Sequence, residues 1–194
     1  MEIDREEIEE ARKLIVQGGI IIFPTETAYG IAADATNPEA IEKVYEAKQR
    51  PRSKGLTAIV SSPGQAEEYS RLSENEKRIV EEFMPGPLTL VAEKKNSIPE
   101  SLNESFAFRI PGSEVARKLA RDTPVTATSA NVSGRETSYS IDGISRELRE
   151  KVDKILDAGE LSASSTSTVA EVNNSEIVIH RKGPFSKQDL ESVL

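Results

Sequence analysis

Apolar side chains recur at helical spacing from residue 4 to residue 17. Ile8, Ala11, Leu14 and Ile15 share one face, Asp4 stands at the cap, and Glu7 takes the place of its capping-box partner. Gly18 and Gly19 end this helix. Residues 20–23, IIIF, carry no polar interruption and predict a buried strand, which Pro24 stops. The same reading gives helices over 39–48, 65–69, 74–83, 113–121 and 146–152, and strands over 56–60, 88–92, 106–110 and 125–128. Residues 168–172 and 177–180 predict a late hairpin. Strands and helices alternate only loosely. The expected fold is therefore α/β, a single domain over 1–194 with a twisted mixed sheet, and not a plain doubly wound one.

The 194 residues suffice for one compact core. A formal charge of −8 argues against a general nucleic-acid coat, which needs a surplus of Lys and Arg, but it leaves room for a local basic pocket. With no Cys and the single His180, disulfides, thiolate nucleophiles and multi-His or Cys-based metal sites drop out. A metal, if used, is a hard cation such as Mg²⁺ held by oxygen atoms and phosphates. The first ten residues are acidic without an apolar signal core, and the longest apolar run is too short to span a membrane. We therefore expect a soluble cytoplasmic protein with no membrane contact.

Neither a P-loop nor a dinucleotide-binding glycine motif is present. Three polar segments follow predicted elements instead. Residues 24–30, PTETAYG, put hydroxyls and a Tyr at a strand end, which suits a small polar ligand; a tight turn with self-satisfied hydroxyls accounts for them equally. Residues 48–55, KQRPRSKG, hold four cations, either as a clamp for phosphate or carboxylate or as the charge cluster that a helix C-terminus favours. Residues 126–134, TATSANVSG, offer hydroxyls, an amide and backbone N–H groups that can cradle phosphate or ribose, or form a plain Ser/Asn/Gly loop. Polar loops gathered at buried strands in one small domain are the pattern of a concave ligand cleft. On composition alone 162–167, SASSTS, reads as a flexible loop, and His180 as a strand-edge residue.

PTETAYG after GGIIIF, then KQRPRSKGL, PGPLTLV, FRIPGS, TSANVSG and a late STV, in this order and spacing, resemble the short form of the YrdC/TsaC family of threonylcarbamoyl-AMP synthases over about 18–183. The resemblance implies a YrdC-like fold and a nucleotidyltransferase reaction. L-threonine's amine captures bicarbonate or carbon dioxide, the resulting carbamate attacks the α-phosphate of ATP, and pyrophosphate leaves. Mg²⁺ would come with the ATP phosphates. Partner proteins would then transfer the threonylcarbamoyl group to an adenosine beside the tRNA anticodon, and a weak contact with tRNA is compatible with this. Because the substrate supplies the nucleophile, catalysis rests on positioning and charge stabilisation, which suits a chain without Cys.

The family's K-x-R and S-x-N signature falls on Lys48, Arg50, Ser129 and Asn131. The resemblance implies that Lys48 and Arg50 are catalytic, facing the triphosphate and carbamate. It assigns ATP to Arg50, Lys54, Ser105, Ser129, Asn131, Thr137 and Arg181. It assigns threonine to Thr25, Thr27, Tyr29, Arg109 and Ser167, with Arg109 on the carboxylate. The end of the SASSTS run thereby becomes site wall and no longer spacer. Two positions depart from the pattern: Lys54 stands where many relatives have Asn, and Ile59 where long forms often have His.

Two other readings compete. An RNA-binding module of the same fold is disfavoured by the charge and by the modest total of five Phe and four Tyr available for stacking. A carbamoyl-phosphate-dependent enzyme like the YrdC-like part of hydrogenase-maturation proteins is disfavoured by the chain length and the missing Cys.

Overall fold

A computed structural model of the chain describes residues 3–163, 165–174 and 176–194. It opens with α1 (Arg5–Val16), where the Asp4 carboxylate accepts the Glu7 N–H at 2.8 Å and Glu7 in turn accepts the Asp4 N–H at 3.2 Å. Gly18, at φ +81°, turns the chain out of the helix. β1 (Ile21–Pro24) follows. The polar segment behind it is the turn of a hairpin: Tyr29–Ala32 returns as β2, in register from Pro24↔Tyr29 to Ile21↔Ala32. The sequence reading missed this strand because its apolar residues are few and broken by Gly30. A Cβ at Gly30 would stand 3.1 Å from the buried Phe23 ring, which would have to shift by a few tenths of an ångström to admit it.

The next elements are α2 (Pro38–Lys48), β3 (Ala58–Ile59), α3 (Pro63–Tyr69), β4 (Ser70–Arg71), α4 (Glu74–Phe83), β5 (Leu88–Lys94), β6 (Phe106–Arg109) and α5 (Glu114–Leu119). Then come β7 (Val125–Thr126), β8 (Thr128–Ser129), α6 (Arg146–Arg149), β9 (Lys154–Ile155), β10 (Thr168–Asn173), β11 (Glu176–Arg181) and α7 (Lys187–Glu191). Asn37 caps α2 through its side chain, with Pro38 in the first turn, and Gln49 ends it in the left-handed region at φ 51°.

The mixed pairing expected from the sequence is present, divided between two sheets. One has the order β8-β2-β1-β9 and the other β11-β10-β5-β6-β3-β7, with β4 on β5. The predicted strand over 125–128 is broken at Ala127, half in each sheet. Thr126 donates to the Ala33 carbonyl at 2.8 Å, Ala127 to Thr57 at 2.7 Å, and β8 pairs Gly30↔Ser129. These five residues stitch the sheets together. β4 and β9 escaped prediction because two-residue strands carry no periodicity. For α7 a signal existed in the Ser186/Asp189 capping box.

β1 explains why an unbroken apolar run forms a strand here. Ile20 and Ile22 enter the larger core with Tyr29, Val44, Leu90 and Phe108, while Ile21 and Phe23 enter a second core with Ile8, Ile15 and Leu119 of α1 and α5. Both faces of the strand are covered. Among the described residues no helix is long and apolar enough to cross a membrane.

Candidate functional site

A cavity of about 300 Å³ opens where the β1–β2 turn, the β7–β8 crossover, β5, β6 and the segment entering β10 meet. Thr25, Thr27, Ala28, Tyr29 and Gly30 come from the hairpin, and Thr128 and Ser129 from the crossover. Thr57, Thr89 and Arg109 come from the second sheet, and Arg50, Thr137, Tyr139, Thr166, Ser167 and Arg181 complete the wall. Hydroxyls dominate this lining.

The turn holds itself together. Thr25 Oγ1 accepts the N–H groups of Thr27 and Ala28, each at 3.1 Å, donates to the Ala28 carbonyl at 2.7 Å, and lies 2.9 Å from Thr27 Oγ1. The Thr25 hydroxyl is thus spent on turn geometry, and it presents Thr27 to the cavity. The Tyr29 hydroxyl is likewise committed: it donates to Gly159 O at 2.7 Å and accepts the Ala158 N–H at 2.9 Å, so it is the ring that lines the wall.

Three guanidinium groups reach this cavity. Arg109 is 7% exposed and pairs with Glu26 of the turn at 3.2 Å. Burial lowers its pKa, and the Glu26 charge opposes that shift. Arg181 donates from Nε to the Ser167 carbonyl at 3.0 Å and from Nη2 to Ser167 Oγ at 2.9 Å; desolvation and then the charge of Arg109 lower its pKa. Arg50 is held by the Lys54 and Gly55 carbonyls at 2.8 and 2.9 Å, and burial lowers its pKa too. Guanidinium stays protonated regardless. The site is therefore positive and incompletely compensated, and an anion is its chemical complement.

Lys48 and Asn131 do not line the cavity but brace it. Lys48 is 1% exposed. Its ammonium donates to the Ser129 carbonyl and to the Asn131 carbonyl at 2.7 Å, with Asn131 Oδ1 at 3.5 Å. Burial, joined by the charge of Arg50, brings its pKa down from 10.5 to about 7. The Asn131 amide donates to Arg135 O at 2.6 Å, and Ser129 Oγ donates to Asn131 Oδ1, so the K-x-R and S-x-N segments form one hydrogen-bonded unit.

Nine of the residues singled out from the sequence meet at this cavity: Thr25, Thr27, Tyr29, Arg50, Arg109, Ser129, Thr137, Ser167 and Arg181. Lys54 lies exposed outside it, offering only its backbone carbonyl to Arg50. Ser105 lines a different depression, with Arg71, Ser73 and Glu93. In the SASSTS run, Ser164 lies outside the described residues, while Thr166 and Ser167 are cavity wall. His180 sits on the edge strand β11 with Glu171 at 2.7 Å. Thr57, Thr89 and Tyr139 escaped the sequence reading. Thr89 alone carried a signal there, as a hydroxyl inside the apolar run PLTLV. Among the described residues there is no group of three or more His, Asp or Glu side chains able to hold a metal ion.

Comparisons with known proteins show what this chain is similar to. The family model Sua5_yciO_yrdC, described as telomere recombination, matches residues 13–183. A putative threonylcarbamoyl-AMP synthase of Methanocaldococcus jannaschii is 36% identical over 94% of this chain and 88% of its own length. The threonylcarbamoyl-AMP synthase of Pyrococcus abyssi is 33% identical over 98% of this chain, which spans only 59% of that protein. The crystal structure of P. abyssi Sua5 complexed with L-threonine superposes with a TM-score of 0.92 at 32% identity, covering 100% of this chain and 59% of that one.

Proposed function

The chain belongs to the Sua5/YciO/YrdC family, and on that footing we propose that it is an L-threonylcarbamoyladenylate synthase. The substrates are L-threonine, bicarbonate or carbon dioxide, and ATP. Threonine's amine and bicarbonate give a carbamate and water; a carbamate oxygen bonds to the α-phosphorus, the bond to the β-phosphate oxygen breaks, and pyrophosphate departs. The observation that carries this reading is the convergence of three guanidinium groups on one hydroxyl-lined cavity that holds no nucleophilic thiol. Such a wall orients anions and stabilises charge as it moves from carbamate to pyrophosphate, while the substrates provide the bond-forming atoms.

Arg109 stands beside the Thr25–Thr27 turn and takes the amino-acid carboxylate, displacing part of its pairing with Glu26. Thr27, Ser167 and the Tyr29 ring complete the threonine pocket. Arg50 and Arg181 take the phosphates, with Ser129 and Thr137 at the nucleotide. Lys48 and Asn131 hold Ser129 in place. Lys54 and Ser105 reach the nucleotide only if its phosphates or base extend beyond the cavity. Mg²⁺ rides on the ATP phosphates, since the cavity wall offers it no carboxylate cluster. The enzyme works in the cytoplasm and delivers its product to separate proteins that modify tRNA.

The test is an assay with ATP, Mg²⁺, bicarbonate and each amino acid in turn. Pyrophosphate release that needs both threonine and bicarbonate is the expected result. Release independent of threonine, or none in any combination, defeats the proposal.

A further inference from the structure

Thr89 has no role in the assignments above, yet its side chain is 1% exposed and forms part of the cavity wall. Along β5, Leu88, Leu90 and Ala92 enter the larger core, and Thr89 faces the opposite way. Its Oγ1 lies 2.9 Å from Ser167 Oγ. The parallel ladder between β5 and β10, pairing Leu88↔Thr168 and Thr89↔Val169, holds the two hydroxyls at that separation. Ser167 is the residue that orients Arg181, through both its carbonyl and its hydroxyl oxygen. Arg181 is therefore aimed by Ser167, and Ser167 by Thr89.

A proton count extends the point. The two hydroxyls bring two protons, and their mutual contact consumes one. The bond that Ser167 Oγ accepts from Arg181 consumes neither. One O–H remains, on whichever oxygen acts as the acceptor, and both oxygens belong to residues that line the cavity. The acceptor that suits it is an anionic oxygen held beside the Arg181 guanidinium.

We infer that Thr89 is a positioning residue of this site: it orients the Ser167–Arg181 pair, and with Ser167 it presents one hydroxyl proton to an anionic oxygen of the substrate. The identity of that substrate rests on the synthase reading; the hydrogen-bonded chain from Thr89 to Arg181 does not.

The experiment compares Thr89→Val with Thr89→Ser by calorimetric titration of L-threonine and of ATP, by steady-state kinetics and by thermal melting. Valine keeps the β-branched shape and removes the hydroxyl; serine keeps the hydroxyl. In the valine variant the Kd and KM rise about fivefold for threonine, which Ser167 faces, and for ATP, which Arg181 faces, as the loss of one uncharged hydrogen bond entails. Its kcat stays within about twofold, because the reacting atoms are not touched. The serine variant returns to near wild-type affinity. Wild-type affinity in the valine variant, or a serine variant as weak as valine, overturns the inference. If the valine chain does not fold, Thr89→Ala serves in the same comparison. Wild-type protein that binds threonine and ATP but releases no pyrophosphate sinks the synthase reading and leaves the titrations to judge Thr89. Wild-type protein that binds neither overturns both.

Discussion

Lys48→Met is the perturbation whose size follows most directly from the structure. Folding places the Lys48 ammonium out of water and near Arg50, with a pKa of about 7 against 10.5 for an ordinary lysine. Between these values the unfolded chain binds a proton that the folded chain has released, so stability rises with pH across this window. Integrated from pH 7 to pH 9, the gain is about 2 kcal/mol, and by pH 10.5 it reaches roughly 4 kcal/mol as an upper bound. The neutral amine keeps two N–H groups, enough for the Ser129 and Asn131 carbonyls, so the brace survives deprotonation. Methionine keeps the stem and removes the titration. Urea unfolding of both proteins at pH 7, 8 and 9 isolates the effect as a difference of differences, because all other titrating groups are shared. Wild type should gain about 2 kcal/mol relative to Lys48→Met between pH 7 and pH 9. Parallel pH profiles, or a relative loss for wild type, would refute the argument.

Other substitutions probe the frame and the charge of the site. Gly183→Ala sets a Cβ 2.3 Å from the Thr168 backbone nitrogen, and urea unfolding should report a loss of about 1–3 kcal/mol as the two segments are pushed apart. Tyr29→Phe removes the hydroxyl that holds Gly159 and Ala158, costing about 1–3 kcal/mol by the same measurement and leaving the cavity-facing ring intact. Arg50→Ala gives up two carbonyl contacts, so pyrophosphate release should fall about 100-fold or more while the melting midpoint moves by a few degrees at most.

Where local chemistry decided the structure, the sequence was readable. The Asp4–Glu7 box placed the start of α1, and amphipathic spacing placed α2 and α4 within a residue; in the structure Asn37 and the Ser73–Glu76 box cap those two starts. Elements whose existence depends on a distant partner were not readable in this way. β2 is a strand because β1 and β8 flank it, and β9 because β1 offers a parallel edge at Ile21 and Ile22. The site divides along the same line. Thr27, Arg50 and Ser129 stood in polar segments that called attention to themselves. Arg109 stood on an apolar strand, and only family resemblance singled it out. Thr57 and Tyr139 acquire meaning only from what the fold sets opposite them. Four assignments made by resemblance fall outside the cavity lining: Lys48 and Asn131 brace its wall, and Lys54 and Ser105 lie elsewhere, because a motif fixes a position in the chain and not the direction of a side chain.

The stitch at Ala127 has a consequence for the order of assembly. β2 cannot pair with β8 until the chain has synthesised and folded back everything between Gly30 and Ser129, and Arg181 arrives later still. The cavity is a high-contact-order object, absent from any partly folded lobe. A ligand held there binds only the completed molecule, so its binding energy is spread over both sheets. At a hundredfold excess over Kd it adds about 2.7 kcal/mol to global unfolding. Occupancy should therefore shift the melting of the whole chain as one transition, in which neither sheet melts ahead of the other.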